Sequence, residues 1–122
     1  MSFDRWREQV RKSTPDPDVN YRRWRTFAEH QDYLKDHPQV FEWLCALVIY
    51  PKPTWEITIA VGHALRDFGV EVNYDNLLLL SRIPWLQTGN LKSRLRDDLT
   101  GYLSKDMKIF MNIFKLTYHL EI

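Results

Sequence analysis

Cysteine occurs once in this chain and glycine four times, and no apolar run approaches the ~20 residues a helix needs to cross a bilayer. The single thiol, Cys45, excludes an internal disulfide, and its place in an apolar run points to a reducing compartment. The glycines, Gly62, Gly69, Gly89 and Gly101, form neither a G-x-x-x-x-G-K-[ST] run nor a G-x-G-x-x-G run. Two self-contained ways of cradling phosphate are thereby removed. Net charge is also small: 17 Lys+Arg against 16 Asp+Glu leave +1. Global charge therefore favours neither nucleic acid nor an anionic membrane. The opening stretch MSFDRWREQVRKS is charged and lacks the apolar core of a signal peptide. The expectation is a cytoplasmic protein with no membrane contact, no metal and no cofactor.

What is present is a core. Hydrophobic residues make up 44% and aromatics 14% of 122 residues, enough for one packed domain. Residues 1–20 read as an N-terminal helix and a Pro-rich loop, and residues 21–122 as the domain proper. Phe3, Trp6 and Val10 place one apolar stripe on a charged helix, and Pro15 and Pro17 end it in a loop over 14–20. Tyr21, Trp24, Phe27, Ala28, Gln31 and Leu34 step along one face of a helix over 21–35. Residues 39–49 are apolar nearly all round, which predicts a helix buried against several neighbours. Thr54 caps a helix running to Phe68, and Gly69 is placed for a left-handed stop. Asn73 caps a helix over 74–83 that Pro84 ends. Thr88-Gly89-Asn90 is a turn, with Asn90 a further cap for a helix over 91–103. Ser104 caps the last helix, whose polar stripe is Lys108, Asn112, Lys115 and His119. Val70-Glu71-Val72 and Trp85-Leu86-Gln87 are the only stretches that could pair as short strands. The fold expected is all-α, a bundle of six to seven helices with a winged-helix or helix-turn-helix-like central part.

Chemistry is thinly represented. His30, His37, His63 and His119 never fall three or four residues apart, the spacing that puts two metal ligands on one helix face. Glu56 and His63 lie two turns apart on one helix, but no nucleophile motif accompanies them. Cys45, in the most apolar helix, is a poor nucleophile if buried. No catalytic residue is assigned, and the chain reads as a non-enzyme.

Two binding readings remain. Arg5, Arg7, Arg11, Lys12, Arg22, Arg23 and Arg25 gather positive charge in the first 25 residues, and the arginines beside Trp6, Tyr21 and Trp24 could grip phosphate and stack on bases, although a solvated face with local ion pairs is the preferred account. The pair of helices at 54–83 has helix-turn-helix spacing. Its second helix, YDNLLLLSR, offers only Asp75, Asn76, Ser81 and Arg82 to a groove. The leucines suit protein contact better than base edges.

Two segments, WLCALVIYPKPTWEITIAVGHAL and YDNLLLLSRIPWLQTGNLKSRLRDDL, carry a further pattern. Trp43, Leu44, Ala46, Leu47, Tyr50 and Pro51 are followed by Trp55, Thr58, Gly62, Ala64 and Leu65. Arg82, Ile83, Pro84, Trp85, Leu86, Gly89, Leu95 and Arg96 complete it. This resembles the helical, winged-helix-like segment downstream of the nucleotide-binding domain in large bacterial STAND-type signalling ATPases. The resemblance spans roughly residues 22–103, without a nucleotide-binding domain, so ATP hydrolysis is not carried over. It implies a regulatory protein-interaction module in defence or stress signalling. The partner would be another domain or a second copy. The interaction candidates are Arg82, Trp85, Gln87, Arg94, Arg96, Phe110 and Phe114. For Trp85 itself, a place in the core is the preferred account over a docking role. The alternative is a winged-helix-like nucleic-acid binder using Arg22, Arg23, Arg25, Arg82, Arg94 and Arg96.

Overall fold

A computed structural model describes residues 24–119. The helix expected over 3–13, the loop over 14–20 and residues 21–23 lie outside the described residues. Within them the chain is all helical, with no strand: α1 (Phe27–Tyr33), α2 (Pro38–Leu47), α3 (Trp55–Ala64), a 3-10 turn (Leu65–Phe68), α4 (Tyr74–Ser81), α5 (Pro84–Thr88), α6 (Ser93–Tyr102) and α7 (Lys105–His119).

Helix α2 is the axis of the bundle. Val40, Phe41 and every residue from Trp43 to Leu47 are buried, because α3, α4, α6 and α7 all pack on it. A sequence apolar on all sides can be stable in water only when enclosed in this way. Three of its neighbours, α3, α4 and α7, start where short polar side chains accept orphan backbone N–H groups. Thr54 Oγ1 accepts from Ile57 N at 3.2 Å, Asn73 Oδ1 from Asn76 N at 2.8 Å and Ser104 Oγ from Met107 N at 3.2 Å. Helix α3 tightens into the 3-10 turn and ends at Gly69, whose φ of 95° only glycine adopts cheaply.

Four expectations are corrected. The helix expected over 21–35 begins only at Phe27. Thr26 caps it there, accepting from Glu29 N and donating its hydroxyl to Glu29 Oε1. Asn90 caps nothing; α6 begins after Lys92, which makes no side-chain cap bond. Helix α4 stops at Ser81, short of residue 83, because the residue before proline is pushed out of the helical region, and Ile83 is extended (φ −89°, ψ 110°). Pro84 then opens α5 at a position where its missing N–H costs nothing. Trp85-Leu86-Gln87 is therefore helical, and Val70-Glu71-Val72 pairs with no strand among the described residues. That link is held instead by Val70 N donating to Leu65 O and by Asn76 Nδ2 donating to Glu71 O.

Trp43 locks α2 to α3. Its indole Nε1 donates to Thr58 O at 2.9 Å, and its ring lies so close over Gly62 that a Cβ there would stand 2.5 Å from Trp43 Cζ2. Glycine at 62 is thus a packing requirement of the tryptophan.

Candidate interaction surface

Seven residues were singled out from sequence, and the structure places them in three different settings. Trp85 is in the core, 5% exposed, in the first turn of α5. Its Nε1 donates to His30 Nε2 at 2.8 Å, and His30 Nδ1 lies 2.7 Å from Thr26 O. Nε2 accepts, so the proton sits on Nδ1 and the ring is the neutral tautomer. His30 is completely buried, with the Trp24 ring edge-on at 5.2 Å. Of the two roles open to Trp85, the structure takes the core one: it joins α5 to α1. His30 was not singled out from sequence. The signal was the Thr26-x-x-Glu29 pattern, which puts residue 30 one turn beyond the cap with its ring against the Thr26 carbonyl.

The arginines divide. Arg96, half-buried on α6, donates to the carbonyls of Val48, Tyr50 (3.1 Å) and Pro51 (3.4 Å). Lys115 on α7 donates to Ile49 O at 3.0 Å. Two cations from two helices therefore meet the carbonyls of the C-cap and of the loop that follows α2, on the side where the helix dipole also favours positive charge. Arg82, at the C-cap of α4, is half-buried, and its Nε has no hydrogen-bond partner among the described residues. Arg94 is exposed on α6. Gln87 lies within α5, and only its backbone is described.

Phe110 and Phe114 are half-buried and nearly parallel, with centroids 6.2 Å apart, and Phe68 meets Phe110 edge-on at 5.5 Å. They turn toward the body of the bundle, as do the buried Met107 and Met111. The other side of α7 is where apolar surface is left open. Ile109 is 51% exposed, Ile113 62% and Leu116 71%. At ~100° per residue these three fall within about 60° of one another, forming a single ridge. The expected polar stripe is not the solvent face as a unit: Asn112 is exposed, but Lys108 and Lys115 are half-buried.

Among the described residues, an open cleft of about 430 Å³ lies between α1, α2 and α6, lined by Leu34, Phe41 and Tyr102. Its only ionisable pair is Asp32 and Lys35, 3.9 Å apart and largely exposed. Cys45 lies elsewhere, fully buried; burial first, and the Glu42 charge second, push its thiol pKa up, so it stays protonated. No group of three or more His, Cys, Asp or Glu side chains is set to hold a metal among the described residues, nor is any helix there long and apolar enough to cross a membrane. No protein-family model matches the chain, and neither a curated protein nor a solved structure matches it significantly.

Proposed function

We propose that this chain is a non-enzymatic interaction and regulatory module whose docking face is the outer ridge of α7. The observation that carries this reading is the exposure of Ile109, Ile113 and Leu116 on consecutive turns of the longest helix. Aliphatic side chains aligned this way gain free energy when another polypeptide covers them. The cleft, by contrast, brings together no set of groups suited to acid–base or nucleophilic work.

The resemblance to the helical segment of STAND-type ATPases gives the reading its context: a bacterial, cytoplasmic part or relative of such a signalling protein. Its support is that Trp43, Thr58 and Gly62 form one joint and Trp85 another, so the pattern residues serve the interior of one scaffold. The order α3, Gly69, α4, expected from the spacing at 54–83, is compatible with that context. The alternative, nucleic-acid binding, loses support because Arg96 spends its guanidinium on carbonyls of the loop after α2 and Arg82 is half-buried.

Light scattering and binding of an apolar dye test the proposal directly. The chain is expected either to associate or to bind the dye, and Ile113→Lys with Leu116→Lys should abolish whichever is seen while leaving helical content intact. A monomer that binds no dye would sink the reading. A mobility shift with duplex DNA that weakens steeply with salt would favour the alternative.

A further inference from the structure

We draw no further inference here: the strongest candidate, the apolar ridge of Ile109, Ile113 and Leu116 on α7, belongs to the surface already described, and nothing in the structure shows which polypeptide covers it.

Discussion

Gly62 and Gly101 separate two meanings of the same residue type. Both lie in helices, yet a Cβ at 62 would meet Trp43 and Val72 below 3 Å, whereas one at 101 meets nothing within 4 Å. Gly62→Ala is expected to cost ~1–3 kcal/mol by overpacking. Gly101→Ala should be neutral or stabilising by up to ~1 kcal/mol, because alanine is the better helix former. Urea melts of the two variants check both signs. Cys45 carries a pH prediction. Its folded pKa lies above the ordinary thiol value of 9.0, so above that pH the unfolded chain has lost a proton that the folded chain keeps. Stability should therefore be unaffected by this thiol below pH 9.0 and fall as pH rises beyond it, by at most ~1.4 kcal/mol per pH unit. Denaturant melts from pH 8 to 10.5, compared with Cys45→Ala, isolate that slope. A variant with an identical slope would show that the thiol is not the cause. His30→Leu leaves the Trp85 indole N–H facing an apolar group, which should cost ~1–3 kcal/mol, read as a lowered thermal midpoint.

Helix α2 raises the question of how an element can end inside a protein. The carbonyls that follow its last turn, from Val48 to Pro51, are met by Arg96 and Lys115. Removing a cation leaves polar oxygens without a partner, and a bond to a charged donor is worth more than a neutral one. Arg96→Met, which retains much of the aliphatic stem, is expected to cost ~1–3 kcal/mol. Because Lys115 serves the adjacent carbonyl, Arg96→Met and Lys115→Met should not be additive. A double-mutant cycle with coupling below ~0.3 kcal/mol would mean that the two act independently. The same element view explains Pro84: one residue closes α4 through its effect on Ile83 and opens α5 through its own fixed φ.

At the scale of the whole molecule, buried and exposed apolar side chains lie on opposite sides of α7. Met107 and Met111 face the core, while Ile109, Ile113 and Leu116 face out. Replacing Ile113 with lysine should leave the unfolding midpoint within the ~0.5 kcal/mol typical of surface changes. Met111→Ala should cost ~2–5 kcal/mol, the range for emptying a buried site. If Ile113→Lys unfolds the protein instead, its side chain is a structural contact and the ridge is not a free face.

Local chemistry is what the sequence determined by itself. Thr54, Asn73 and Ser104 cap the helices named for them, Gly69 and Gly89 (φ 74°) turn the chain, and α2 is as buried as its composition demands. The caps and turns depend on backbone groups within a few residues, and the burial of α2 follows from its own composition, so the signal lies in the adjacent letters. The tertiary structure alone decided how helices rotate about their axes and which distant groups meet. Helix α7 is apolar on most sides, so its own periodicity could not say whether Phe110 or Ile113 would face the bundle. Arg96 read as a surface charge because the carbonyls it satisfies stand 45 to 48 residues away in the chain. Trp85 and His30 are 55 residues apart, and only the packing of α5 against α1 brings donor and acceptor together.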